Sequence, residues 1–245
     1  MTEISIIVPA LNEEGNLTPL VGALLEQAQK DSLDIEIVIV DDCSDDRTFE
    51  EGCSLALKYP NTHIYKKEMP RGFGNAVRSG IAQAHGVIGV VVCADNVDPI
   101  ETLSEMKNKI IDQGYDLVLA SRRKVKQDSG YMPFKYKFFQ FGFRWLARLL
   151  LNFPFKDGTY SYRAFNITFV RRLDLVSPGF EISPEISFKT FLKGGRITEV
   201  RAIPRVRVIG VSKFSFFGAG RGYPRVLWQA FLLRLSLLRK AYMKQ

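Results

Sequence analysis

Along the first half of the chain, short continuous runs of Ile, Val and Leu alternate with longer stretches whose apolar residues recur every three or four positions. The runs at 4–9, 35–41, 63–67, 87–94 and 117–121 read as strands covered on both faces. The stretches at 13–30, 45–59, 72–84 and 99–113 read as helices, several opened by Asn, Ser or Asp. This alternation is βαβ repetition, so the pattern predicts an α/β fold built on a mostly parallel sheet with flanking helices. Past Arg122 the alternation gives way to an aromatic and basic stretch, followed by a helix at 184–193, a strand at 197–209 and a helical pattern from Pro224 onward.

Composition narrows the class. With 46% hydrophobic and 24% charged residues in 245, the chain has the makeup of a soluble globular protein and enough length for a sizeable core. Cys43, Cys53 and Cys93 form no C-x-x-C pair, which fits reduced thiols in a cytosolic setting. No secretory leader is read at the start, and the apolar runs are broken by Arg144, Arg148, Arg234 and Arg239, which argues against a full membrane span.

The net charge of +8 is unevenly placed. Residues 122–156 hold nine Lys or Arg against Asp128 alone, and residues 204–245 hold nine and no acid, so the rest of the chain is net acidic. Basic segments on an acidic body call for a polyanionic partner: lipid, nucleic acid or substrate phosphates. No nucleic-acid-binding module signature is present, and carboxylates at the strand ends would repel a phosphate backbone, so no nucleic-acid partner is expected.

Ligands of open α/β sheets bind beyond the carboxyl ends of the strands. There the sequence places Asn12 and Glu13, then Asp41, Asp42, Asp45 and Asp46, then Asp95 and Asp98, then Ser121 and Arg122. Such a cluster needs donors or a divalent cation, and all-oxygen ligation favours Mg²⁺ or Mn²⁺, with Asp95 and Asp98 as candidate metal ligands. Asp41 and Asp42 suit acceptance of hydrogen bonds from a base and a ribose. Asp45 and Asp46 suit equally the capping of the next helix. The glycines of Arg71-Gly72-Phe73-Gly74-Asn75 allow close approach of a ligand, but no G-x-G-x-x-G, Walker A, G-x-S-x-G or H-E-x-x-H sequence occurs.

These segments resemble the family 2 glycosyltransferases of GT-A (Rossmann-like) fold. The likeness runs in order through Ser5 to Glu14, Val40 to Thr48, Arg71 to Ala76, Ala94 to Pro99, Ser121-Arg122, Asp157 to Arg163, Gly179 to Glu185 and Gly210 to Phe214. Within the family it is similar to the dolichol-phosphate mannose synthase group and its bacterial polyprenyl-phosphate relatives. The first position of the usual Asp-x-Asp metal motif is here Cys93, with Asp98 as the replacement carboxylate.

The resemblance implies an inverting transferase that uses a GDP- or UDP-sugar, with Mg²⁺ or Mn²⁺ at Asp95 and Asp98. It places Pro9, Leu11, Glu13, Asp41, Asp42, Arg71, Gly72, Asn75, Ala94 and Asp95 around the donor. Arg207 and Lys213 would add positive charge at the departing diphosphate. A lipid-phosphate acceptor brings its own anion and requires an arginine pocket, for which Ser121, Arg122, Arg123, Arg163 and Arg207 are the candidates, with Glu185 secondary. A hydroxyl acceptor would need a base, for which Asp157 is the candidate. A non-catalytic, nucleotide-binding relative is the alternative that Cys93 suggests.

The domain expected is 1–215, with an inserted amphipathic segment at about 131–152, followed by a basic amphipathic region at 216–245. From Lys137, the residues Lys137, Gln140, Arg144 and Arg148 form a narrow polar stripe on an otherwise apolar helix, and the stretch from Arg225 reads alike. Such helices suit peripheral binding at the cytosolic face of an anionic membrane; the alternative is that they pack on each other or in a homodimer.

Overall fold

The computed structural model describes residues 2–122, 134–205 and 216–243, with side chains from 139 and from 222 in the latter two stretches. Arg123, Arg207 and Lys213 lie outside the described residues.

The strands are β1 (Ile4–Ala10), β2 (Ile35–Asp41), β3 (Thr62–Lys66), β4 (Ile88–Val91), β5 (Leu117–Ser121), β6 (Arg163–Asn166) and β7 (Ile197–Arg201). They form one sheet in the order β3-β2-β1-β4-β6-β5-β7. β6 pairs antiparallel with both β4 and β5, and the other pairings are parallel. The α/β reading of the sequence holds. It did not include β6, whose four residues open on an arginine and show no apolar alternation.

The helices are α1 (Leu17–Lys30), α2 (Thr48–Lys58), α3 (Phe73–Gln83), α4 (Leu103–Ile111), α5 (Phe134–Leu151), α6 (Ile167–Val170), α7 (Ile182–Leu192) and α8 (Phe216–Tyr242). Because strand side chains alternate, β1 serves two cores. Ile4, Ile6 and Val8 join Leu20 and Leu24 of α1 and Leu103 and Met106 of α4. Ile7 joins Val77 of α3, Phe143 and Ala147 of α5, Phe188 of α7 and Val226 of α8. α8 begins eight residues ahead of Pro224, which lies inside the helix, and its buried Tyr223, Val226, Leu227 and Ala230 belong to this second core.

Each long helix of the basic segments has a buried and an open face. On α5, Phe143, Ala147 and Leu151 are buried, whereas Phe141, Trp145 and Leu149 stand exposed at the same spacing one face away. On α8, Trp228, Leu232, Leu235 and Leu238 are exposed. Arg234 of α8 donates to the Leu150 carbonyl at 2.6 Å, so one helix's arginine meets an orphan carbonyl at the other's carboxyl end.

Candidate active site

The carboxyl ends of β1, β2, β4 and β5, with the amino end of antiparallel β6, make one rim. Arg163 sits there between Val91 of β4 and Leu119 of β5. The loops after β1 and β2 are bolted together: Asn12 N–H donates to Ser44 Oγ at 2.9 Å, Asp45 N–H to Asn12 Oδ1 at 2.8 Å and Glu13 N–H to Thr48 Oγ1 at 2.7 Å. Asn12 and Cys43 hold left-handed backbone, with φ of 49° and 61°, which turns both loops sharply off their strands. Asn96, also left-handed, donates from Nδ2 to the Asn16 carbonyl at 3.1 Å and brings the loop after β4 alongside.

Asp41 and Asp42 are buried within this rim. Asp41 accepts from Ser44 N–H through both oxygens at 3.3 Å. Asp42 accepts from Gly72 N–H at 2.6 Å and lies 3.0 Å from Lys67 Nζ, an ammonium that sequence reading did not single out. Arg71 crosses to the β2 loop, donating to the Cys43 carbonyl at 2.6 Å and to Asp45 at 2.5 Å. Asp46 Oδ1 accepts from Thr48 N–H at 3.0 Å and from the Thr48 hydroxyl, although the residue at the N-cap of α2 is Arg47.

The glycine loop meets protein rather than open space. Gly74 and Asn75 give their N–H groups to the Pro178 carbonyl at 2.8 and 3.2 Å. A Cβ at Gly72 would come 2.3 Å from that carbonyl oxygen, and one at Gly74 2.2 Å from the Ser177 oxygen. These glycines therefore admit the 177–179 backbone. Glu185, fully buried, holds that backbone in turn, accepting from Ser177 N–H at 2.8 Å and from Lys189 Nζ at 2.6 Å.

Asp95 and Asp98 share one turn but differ in setting. Asp95 is half-buried, and its Oδ1 accepts from Val97 N–H at 3.2 Å. Asp98 is 3% exposed, and its two oxygens accept from Cys93 N–H and Tyr160 Oη–H, each at 2.7 Å. Burial pushes its carboxyl up to about 7, against those hydrogen bonds and with help from the Asp95 charge. The Cys93 thiol is also pushed up, first by burial and then by Asp98 and Asp95, and its Sγ lies 3.2 Å from Ser161 Oγ.

No group of three or more His, Cys, Asp or Glu converges among the described residues. A divalent ion bound at this turn would be shared, held by one or two carboxylates and completed by phosphate oxygens and water, the usual habit of Mg²⁺ with nucleotides. Asp95 is the carboxylate at this turn that could hold such an ion, and Asp98, accepting Cys93 N–H, closes the turn that carries Asp95.

Across the rim, Asp157 is 4% exposed and paired bidentately with Arg122: Nε to Oδ2 at 2.8 Å and Nη2 to Oδ1 at 2.9 Å. Arg122 also lies over the Tyr160 ring, 4.5 Å from its centroid. Arg163 is 1% exposed and is spent on the wall behind the site. It donates to the carbonyls of Gly158, Tyr160, Ser161 and Ser183 and to Ser187 Oγ. Burial lowers its guanidinium to about 10, which leaves it charged at neutral pH. Ser121 is fully buried at the end of β5; at or just past the ends of β1 and β4, Pro9, Glu13 and Ala94 are buried and Leu11 half-buried. Tyr160 lies in the matched Asp157–Arg163 segment but has no role that the sequence assigns; only the fold sets its ring beside Arg122 and its hydroxyl beside Asp98.

The chain is 31% identical over 215 residues to a dolichol-phosphate mannosyltransferase of Pyrococcus furiosus, covering 87% of this chain and 59% of the relative, so it spans less than two thirds of that protein's length. It is 28% identical to an undecaprenyl-phosphate mannosyltransferase of Micrococcus luteus, covering 94% of this chain and 98% of the relative. Its fold is similar to that of glucosyl-3-phosphoglycerate synthase from Mycobacterium tuberculosis, a structure in complex with Mn²⁺, UDP and phosphoglyceric acid. That match has a TM-score of 0.69 and 18% identity, and covers 95% of this chain and 78% of the other. Residues 5–173 match the model of Glycosyl transferase family 2, and the chain belongs to that family.

Proposed function

We propose that this glycosyltransferase moves a hexose from a GDP- or UDP-sugar to a polyprenyl phosphate, with inversion, at the cytosolic surface of a membrane. The observation that carries the acceptor class is the bidentate Arg122–Asp157 pair. The carboxylate that would serve as base toward a hydroxyl acceptor has both oxygens engaged by a guanidinium and is buried. An acceptor phosphate needs no base, since one of its anionic oxygens attacks the anomeric carbon as the bond from that carbon to the nucleoside diphosphate breaks. The names of the Pyrococcus and Micrococcus relatives agree with this class of acceptor.

On the donor side, Asp95 holds the divalent ion. When bound, a Mg²⁺ or Mn²⁺ ion neutralises charge on the departing diphosphate. Asp41 and Asp42 shape the pocket for base and ribose, and Pro9, Leu11, Glu13 and Ala94 form its floor. Arg71, Gly72 and Asn75 close it from the glycine loop. Arg122 stands on the acceptor side; the roles of Lys213 and Arg207 at the diphosphate and of Arg123 at the acceptor phosphate rest on the sequence alone, since these residues lie outside the described ones.

Membrane attachment rests on the exposed apolar faces of α5 and α8, where Trp145 and Trp228 lie one helical turn from Arg148 and Arg225, and Arg239 and Lys240 stand in the last turn of α8. Aromatics beside cations suit the headgroup region of anionic lipid. Among the described residues no helix is long and apolar enough to cross a membrane.

The test is transfer from radiolabelled GDP-mannose or UDP-glucose, with Mn²⁺, to undecaprenyl phosphate in detergent. Label entering the butanol-extractable lipid supports the proposal. Label appearing only on a soluble hydroxyl acceptor overturns it.

A further inference from the structure

Four side chains that the pattern of the sequence scatters over 98–160 form one continuous series across the rim. Asp157 grips Arg122 with both oxygens, and Arg122 lies 4.5 Å over the ring of Tyr160. Tyr160, itself 9% exposed, donates its hydroxyl to Asp98 Oδ1 at 2.7 Å. Asp98 Oδ2 accepts Cys93 N–H at 2.7 Å and so closes the turn in which Asp95 stands. The only phenol hydroxyl that bonds Asp98 among the described residues thus belongs to the ring that supports the acceptor-side arginine.

We propose that Tyr160 is a positioning residue for the divalent ion: its hydroxyl holds Asp98 as the clasp of the Asp95 turn, and Arg122 holds its ring. The inference rests on Asp95 as the metal carboxylate. Tyr160 touches neither donor nor acceptor in this account; it sets where Asp95 stands. Partners of this kind behind a metal ligand are commonly worth a factor of ten or more in metal affinity. Because the Tyr160 ring lies under Arg122, the cost of disturbing the acceptor side should reach the metal as well.

The experiment is a Mn²⁺ titration of the full chain followed by electron paramagnetic resonance, with GDP and, in parallel, UDP saturating, alongside nucleotide binding in EDTA. Tyr160→Phe keeps the ring and removes the hydroxyl. It is expected to weaken Mn²⁺ binding about tenfold while leaving metal-free nucleotide binding unchanged. A purely structural role would lower the melting temperature without separating the two affinities. Arg122→Lys retains a cation for Asp157 but gives up the planar contact, and should weaken Mn²⁺ about two- to fivefold, the worth of one cation–π contact.

Two results overturn the proposal while leaving Asp95 in place: Tyr160→Phe binding Mn²⁺ as the wild type does, or its metal-bound and metal-free nucleotide affinities falling together. Wild-type Mn²⁺ binding equal to Arg122→Lys would overturn the arm through the ring. Failure of the wild-type chain to bind Mn²⁺ with either nucleotide would overturn the Asp95 reading and this inference with it. If Tyr160→Phe proves unstable, Tyr160→His, with a ring and an N–H donor for Asp98, must restore at least part of the affinity; failure to do so counts against the proposal.

Discussion

Single side chains show how the fold divides its charged groups between structure and chemistry. At the end of the sheet opposite the rim, Glu36 is 5% exposed and accepts from Ser5 Oγ–H at 2.5 Å and from His85 N–H at 2.6 Å. Burial alone would raise its carboxyl, but the hydrogen bonds from Ser5 and His85 outweigh it and hold the group below its usual value of 4.5. A carboxyl lowered in the folded state binds fewer protons than in the unfolded chain, so its stabilisation is complete above that value and is lost as pH falls through the folded one. Glu36→Gln should therefore cost about 2 kcal/mol at pH 7. In urea melts the gap from wild type should narrow steadily below pH 4.5. At the rim the same distinction separates half-buried Asp95 from Asp98, whose oxygens are given to the turn. Sequence reading grouped the two because both stand at the end of one strand, and only burial tells them apart.

At the scale of elements, the strands and helices of the first half were legible because continuous apolar runs and helical spacing each leave a long signal. β6 was not, since four residues that begin with a buried arginine carry neither period. The glycine loop was legible as a place needing glycine but not for its reason. Its amides bind the Pro178 carbonyl, a contact made across more than a hundred residues of chain. Gly74→Ala would push a methyl to 2.2 Å from the Ser177 oxygen, so the 177–179 backbone must move. We expect a loss of about 1–3 kcal/mol, read from a urea midpoint. On α5 and α8 the apolar stripes were visible, but not that each helix keeps one stripe for the core and another for the outside. Trp228→Glu with Leu232→Glu should leave the thermal midpoint nearly unchanged, within about 0.5 kcal/mol per site. The same pair should abolish co-sedimentation with vesicles containing anionic lipid. Retained co-sedimentation would count against attachment through this face.

Across the whole molecule, acidic and basic residues are sorted. The β1, β2 and β4 loops hold carboxylates over a sheet rim, and the basic segments contribute Arg122 at that rim and cations on the open helix faces. This sorting is consistent with the proposed reaction between two phosphate-bearing partners, one bound with a metal and one met at a lipid surface. Family and fold follow from the order of the matched segments. Nucleotide and sugar do not, because they depend on pocket shape built from several loops at once, and Arg123, Arg207 and Lys213 lie outside the described residues. The proposal stands or falls with Asp95 holding the ion that steadies the departing diphosphate. It is tested most directly by anomalous diffraction from crystals grown with Mn²⁺ and a nucleoside diphosphate. Such crystals should show a manganese peak about 2 Å from an Asp95 carboxylate oxygen and in contact with the diphosphate. A diphosphate seated elsewhere on the sheet rim, with no manganese at Asp95, would contradict it.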